Sequence, residues 1–215
     1  MTRSMLDLGR QRQAPYHGEM TTYDASTALI VVDLQNDFAD PAGSLAVSGG
    51  REIIARINDE IAQALTGDGL VVATQDWHPI STPHFVTDGG PWPMHCVADT
   101  WGAALHAELE LPADAPRVRK GQHGEDGYSG FTMRDATTGE EVPTELDAIL
   151  RARGVTGVRI CGLATDHCVR ATALDAVRLG YATTLVSDAV AAVNLDRNDG
   201  ERAVAEMAEA GVRIA

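Results

Sequence analysis

No apolar run in this 215-residue chain approaches the roughly 20 residues that a membrane-spanning helix needs. Cysteine is scarce: Cys96, Cys161 and Cys168 are the whole supply. Three thiols cannot all pair with one another, and nothing marks the chain for export, so reduced thiols in the cytoplasm are the expectation. Positive charge is also short. Seventeen Lys and Arg face 31 Asp and Glu, for a net charge of −14. That balance argues against nucleic acid and anionic membranes as partners, because phosphate attraction needs a basic face. The acidity suits solubility or a high-salt habitat instead. Internal repeats and low-complexity tracts are missing as well. Residues 1–26 are polar and lack the apolar centre of a signal peptide. They read as a flexible N-terminal arm or a misassigned start, with Met20 as the alternative initiator. Residues 27–215 then form one domain, large enough at 44% hydrophobic content to bury a sizeable core.

Within that domain, apolar strand-like runs alternate with helical patterns. Ala28–Val32 and Leu70–Thr74 are short buried runs, and Arg117–Lys120 is a shorter third. Between the first two, Ile53, Ile54, Ile57, Ile61, Ala64 and Leu65 recur at helical spacing. A helix is predicted from about Thr144 to Gly154, then a strand over Gly157–Cys161 and a helix running to Gly180. A strand at Thr183–Val186, a helix near Glu201–Ala210 and a last strand at Val212–Ile214 complete the pattern. Strands and helices alternating in this way imply an α/β fold: a doubly wound, mainly parallel sheet with helices on both faces. The long irregular stretch is Gln75 to Pro116, rich in Pro, Gly, His and Trp. A loop of that length in a compact domain is usually functional.

The chemistry-bearing residues fall at the ends of the strands. Cys168 follows the fourth strand, in the first turn of the next helix, where unpaired N–H groups and the helix dipole favour thiolate over thiol. The ordinary alternative is a small residue packing that helix on the sheet. Asp33 closes the first strand and Lys120 the third. Alone, Asp33 could start a turn and Lys120 could be a solvated charge. In open α/β sheets, however, sites lie beyond the carboxyl ends of strands where strand order reverses. Three such residues on one edge favour a catalytic set.

A second constellation lies in the irregular stretch: Asp76, His78, His84 and His95. One carboxylate and three imidazoles suit one divalent transition metal, with zinc favoured over iron and manganese, and not calcium or magnesium. Loop histidines can also be plain polar surface, but three beside Asp76 favour a metal. His17, His106 and His123 lack such neighbours and are expected to be solvated. His167 can either orient the turn or line the pocket.

Taken together, these residues resemble the nicotinamidases, the pyrazinamide-hydrolysing branch of the isochorismatase-like cysteine hydrolase superfamily. The resemblance runs from about Ala28 to the C-terminus and is specific at five places. They are Val32-Asp33-Leu34-Gln35-Asn36-Asp37-Phe38 with Gly43-Ser44-Leu45-Ala46-Val47; Asp76-Trp77-His78 with His84-Phe85; Trp92-Pro93-Met94-His95-Cys96; Lys120-Gly121 with Tyr128-Ser129-Gly130-Phe131; and Gly162-Leu163-Ala164-Thr165-Asp166-His167-Cys168-Val169. The loop from Gly121 to Gly127 departs from the pattern in length and sequence, and so does the N-terminal arm.

The resemblance implies strand order 3-2-1-4-5-6, the catalytic set Asp33, Lys120 and Cys168, and a metal held by Asp76, His78, His84 and His95. It also implies a cis peptide before Ala164 and an oxyanion hole from the N–H groups of Ala164 and Cys168. Phe38, Trp92, Leu163, Tyr128 and His167 would contact the substrate, a small aromatic amide. The implied activity is hydrolysis of nicotinamide, and of pyrazinamide, to the acid and ammonia, a step of NAD salvage. Neither nucleic acid nor a membrane is implied as a partner, and a homo-oligomer is left open. Rival readings are another hydrolase of the superfamily, such as a carbamoylsarcosine amidase or an isochorismatase, and a non-catalytic metal or ligand-binding module on the same fold. The first rivals are not expected to carry the aspartate–three-histidine set; the second has no use for a thiolate. A redox-sensing cysteine is weaker still, since no resolving cysteine lies near in sequence.

Overall fold

Five consecutive residues, Ala28 to Val32, are completely buried and form the centre of the sheet. They belong to strand β1 (Thr27–Val32). Its side chains alternate between two cores: Leu29 and Val31 pack on one face, Ala28, Ile30 and Val32 on the other. A strand apolar on both sides needs helices on both faces, and the chain supplies them. The computed structural model describes residues 23–215. The remaining strands are β2 (Leu70–Asp76), β3 (Arg117–Lys120), β4 (Thr132–Arg134), β5 (Glu141–Pro143), β6 (Gly157–Leu163), β7 (Ala182–Ala191) and β8 (Arg213–Ile214). Helices are α1 (Asn36–Ala39), α2 (Ile54–Thr66), α3 (Leu146–Ala152), α4 (Arg170–Arg178) and α5 (Asp199–Glu209).

The main sheet runs β3-β2-β1-β6-β7-β8 with every neighbouring pair parallel. Setting aside the separate β4–β5 hairpin, that is the order 3-2-1-4-5-6 implied by the resemblance. Helix α2 buries Ile54, Ile57, Ile61 and Ala64 on one stripe against the first face. It stops at Gly67, whose N–H caps the Gln63 carbonyl. Leu146 and Leu150 of α3, Ala173 and Ala176 of α4 and Met207 of α5 cover the second face. Burial of each large aliphatic side chain contributes roughly 1.5–3 kcal/mol. Strand order reverses between β1 and β6, so residues just past those two strands share a crevice.

Several local features differ from the sequence expectations. The hairpin β4–β5 and the short α1 were not predicted, and β7 extends well beyond Val186. The irregular stretch carries one short 3-10 turn, Val86–Asp88. Bridges His78–Val97 and Phe85–Trp92 also hold it. Of the expected N-terminal arm, residues 1–22 lie outside the described residues. Tyr23 is 1% exposed and its hydroxyl donates to Glu60, so packing begins before residue 27. Glu60, itself 1% exposed, also accepts from Arg159 Nε at 3.1 Å and from Arg56 at 2.5 Å.

Candidate active site

Asp33 sits one residue beyond β1 with φ of +47°, a left-handed conformation that Asp tolerates better than most residues. Thr74 on β2 fixes it from the side. The Thr74 hydroxyl donates to Asp33 Oδ1 at 2.6 Å and accepts the Asp33 N–H at 3.2 Å. Asp76 ends β2 directly opposite Lys120, which ends β3. The Lys120 ammonium therefore lies between two carboxylates: 2.9 Å from Asp33 Oδ2 and in contact with Asp76 Oδ1. Its third neighbour is Cys168 Sγ, at 3.6 Å. Asp33, Lys120 and Cys168 are all buried. Lys120 is also the only lysine in the sequence, a compositional signal that singles it out without any structure.

Cys168 reaches this cluster from β6 through a turn that sequence reasoning did not resolve. Gly162 has φ of +110°, and a Cβ there would fall 2.1 Å from the Val32 carbonyl oxygen, so only glycine lets β6 approach β1 at this point. The Leu163–Ala164 peptide is cis. Residues Thr165–Val169 then form a π-type turn that leads into α4. Its opening carbonyl, that of Ala164, accepts N–H bonds from both His167 and Val169. Wide turns of this kind recur at functional sites. The Asp166 carboxylate accepts the N–H groups of Val193 and Asn194, tying the turn to the segment after β7.

Burial drives the Cys168 thiol well above its ordinary value; Lys120 opposes this and Asp33 adds to it. Burial therefore acts against the thiolate that a helix start favours. Burial likewise raises Asp33, with Lys120 pulling the other way. Burial alone would lower Lys120, but Asp33 and Asp76 overcome it and keep the ammonium charged.

On the far side of Asp76 lie the three histidines. One ring nitrogen from each of His78, His84 and His95 lies within 4.8 Å of the others, and all three residues are buried. Asp76 Oδ2 is 3.9 Å from Nε2 of both His78 and His95, while its other oxygen holds Lys120. The carboxylate thus joins the two constellations. His84 Nδ1 meets Asp126 Oδ1 at 2.8 Å and His95 Nδ1 meets the Pro93 carbonyl at 2.7 Å, which leaves their Nε2 atoms free. Neither nitrogen of His78 has a hydrogen-bond partner. Burial pushes the His78 imidazole down to about 4, against the pull of Asp76. Three converging imidazoles beside a carboxylate, one of them without any hydrogen-bond partner, fit a transition metal.

Between these groups opens a narrow cleft. Phe38, Trp92, Tyr128, Leu163, Ala164, His167 and Cys168 line it, together with Asp76, His84 and His95. Trp92 Nε1 donates to the Tyr128 hydroxyl at 3.0 Å, and the His167 ring packs on both aromatics. His167 thus lines the pocket, with Nε2 buried and unpartnered.

Sequence reasoning missed the residues that hold this site. Gln35 clamps Asp76: its Nε2 donates to the Asp76 carbonyl at 2.7 Å and its Oε1 accepts the Asp76 N–H at 2.8 Å. Asp37 accepts the N–H of Cys96 at 2.7 Å and so braces the residue after His95, which has φ of +46°. Both lie inside the first motif, but their partners are 41 and 59 residues away in sequence. Among the histidines expected to be solvated, His123 is exposed, but His106 is buried beside Asp40. His17 lies outside the described residues.

The isochorismatase domain model matches residues 27–215. The chain belongs to the isochorismatase family. Among curated relatives, the nicotinamidase/pyrazinamidase of Mycobacterium tuberculosis is 43% identical over 192 residues, covering 87% of this chain and 97% of that one. Among solved structures, the pyrazinamidase of Pyrococcus horikoshii in complex with zinc superposes with a TM-score of 0.78 at 43% identity, over 88% of this chain and 98% of that one. PnC1 from L. infantum in complex with nicotinate gives 0.80 at 39% identity, over 90% and 94%. Among the described residues of this family member, no helix is long and apolar enough to cross a membrane.

Proposed function

We propose that this isochorismatase-family chain is a metal-containing nicotinamidase, hydrolysing nicotinamide, and also pyrazinamide, to the acid and ammonia as a step of NAD salvage in the cytoplasm. The observation that carries the reading is the placement of Cys168 Sγ 3.6 Å from the Lys120 ammonium in a cleft walled by Phe38, Trp92, Tyr128 and Leu163. Its similarity to relatives named for this activity points the same way.

Asp33 takes the thiol proton of Cys168 as the sulfur attacks the carboxamide carbon. Lys120, 3.6 Å from the sulfur, stabilises the charge that forms on it. The N–H groups of Ala164 and Cys168 meet the tetrahedral oxyanion; one such donor is worth about 3 kcal/mol in other hydrolases. Asp33 then returns its proton to the nitrogen as the C–N bond breaks and ammonia leaves. Water, deprotonated by Asp33, cleaves the thioester and restores the thiol. Throughout, Trp92 and Phe38 hold the flat ring and exclude water from its faces. Asp76, His78, His84 and His95 would hold one divalent metal, zinc by preference, which supplies a Lewis-acidic contact for a ring nitrogen meta to the amide-bearing carbon.

The test is ammonia release over nicotinamide, pyrazinamide, picolinamide and benzamide, with metal analysis on the same sample. The expected order of kcat/KM places nicotinamide and pyrazinamide ahead of picolinamide and benzamide, with benzamide lower by about 10²-fold for the lost contact. Equal turnover of benzamide would remove the ring-nitrogen anchor. No turnover of any of the four would favour another hydrolase of the superfamily.

A further inference from the structure

The three clustered imidazoles are not held alike. His95 is oriented by the main-chain carbonyl of Pro93, 2.7 Å from its Nδ1. His78 has no hydrogen-bond partner on either nitrogen and lies against Gly121, where a Cβ would come within 2.6 Å of its Nδ1. His84 alone relies on a side chain: Asp126 Oδ1 lies 2.8 Å from its Nδ1. Asp126 belongs to the loop from Gly121 to Gly127, which follows Lys120 at the end of β3. That loop is not left loose at Asp126. The residue forms an isolated antiparallel bridge with Arg134 at the end of β4, its N–H bonding the Arg134 carbonyl at 2.8 Å. The same Oδ1 also accepts the Gly127 N–H at 2.8 Å.

An exposed ion pair is ordinarily worth little, and the Asp126 side chain is 57% exposed. Its partner is not: the His84 side chain is 5% exposed. A carboxylate that accepts from Nδ1–H puts the imidazole lone pair on Nε2 and increases its basicity, as carboxylates bonded to the far nitrogen of metal-ligating histidines do generally. We infer that Asp126 is a positioning residue that fixes the ring and tautomer of His84, so that this loop sets how tightly the protein holds its metal. The inference rests on the metal reading above.

The test is zinc affinity, measured by competition with a chromogenic chelator on the full chain and on Asp126→Ala, Asp126→Asn and, as a same-loop control, Glu125→Gln. Asp126→Ala should weaken zinc binding about 10–100-fold. Asp126→Asn should fall in between, because the amide oxygen still accepts the N–H but carries no charge, and Glu125→Gln should stay within about twofold of the parent. The absorption spectrum of the cobalt-substituted protein should shift in Asp126→Ala. Melting temperatures of the metal-free forms should coincide, since the exposed carboxylate leaves no buried charge unpaired when removed. Asp126→Ala binding zinc as tightly as the parent would overturn the inference while leaving the metal reading intact. So would unchanged affinity with a lowered metal-free melting temperature, which marks a structural residue. A parent chain that takes up no zinc would overturn both.

Discussion

Two clusters of buried charge sit on the same sheet. One lies near the start of β1 and β6, where Glu60 accepts from Tyr23, Arg56 and Arg159. The other lies past the strands' carboxyl ends, where Lys120 meets Asp33, Asp76 and Cys168. The first is saturated: one carboxylate faces three donors. The second leaves capacity unused, with one ammonium between two carboxylates and a thiol, and with both His78 nitrogens and His167 Nε2 unpartnered nearby. A saturated cluster can only hold elements together. An unsaturated one beside a cleft can bind a ligand and move a proton.

The sharpest way to break this contrast is to exchange the expected phenotypes. Cys168→Ala should lower kcat/KM for nicotinamide by about 10⁴-fold or more with an unchanged melting temperature, since Ala fills most of the same space. An Ala variant within tenfold of the parent would falsify the assignment of the nucleophile. Glu60→Ala should do the reverse. Removing one partner of a buried ion pair costs about 3–5 kcal/mol, so the melting temperature should fall by about 10 °C, while turnover per folded molecule stays near the parent's. Loss of turnover without loss of stability would merge the two clusters into one functional unit.

Chelation is the next smaller perturbation. Removing a metal from the histidine group should lower kcat/KM about 10²-fold, yet leave the sheet's melting temperature within a few degrees, because neither core depends on the loop histidines. Full activity after exhaustive chelation would exclude a metal role. The smallest effect concerns acid stability. Burial would raise the Glu60 carboxyl, but bonds from Arg159, Tyr23 and Arg56 overcome this and hold it below its ordinary value of 4.5. A carboxylate with a depressed folded pKa contributes stability that is complete above the unfolded value and is lost as pH falls through the folded one. The melting-temperature gap between the parent and Glu60→Gln should therefore be constant above pH 4.5 and shrink below it. A gap that widens in acid would reverse the sign assigned to this group.

What was legible in the sequence follows from range. The sheet was legible because Ala28–Val32 and Leu70–Thr74 are continuous apolar runs, and Ile54, Ile57 and Ile61 repeat at helical spacing; these are local signals. Asp33, Lys120 and Cys168 were legible because the fold places strand ends together. The hairpin was not: Thr132–Arg134 and Glu141–Pro143 are short, polar and largely exposed, with no apolar alternation to announce them. The π-type turn at Thr165–Val169 has no sequence period of its own. The upward push of burial on the Cys168 thiol comes from tertiary packing, which no local spacing reports. Thr74, Gln35, Asp37 and Asp126 act through partners tens of residues away, so their roles emerge only once the chain is folded.

The distinction between the two clusters is tested most directly by acid-quenching the protein early in nicotinamide turnover and mapping any covalent adduct by peptide mass. Three buried thiols are present, at Cys96, Cys161 and Cys168, and burial raises the pKa of each. Only Cys168 has the Lys120 ammonium within 3.6 Å and faces the cleft. The expected result is one nicotinoyl group on the peptide containing Cys168 and none on the other two. An adduct on Cys96 or Cys161, or on a residue other than cysteine, would contradict it.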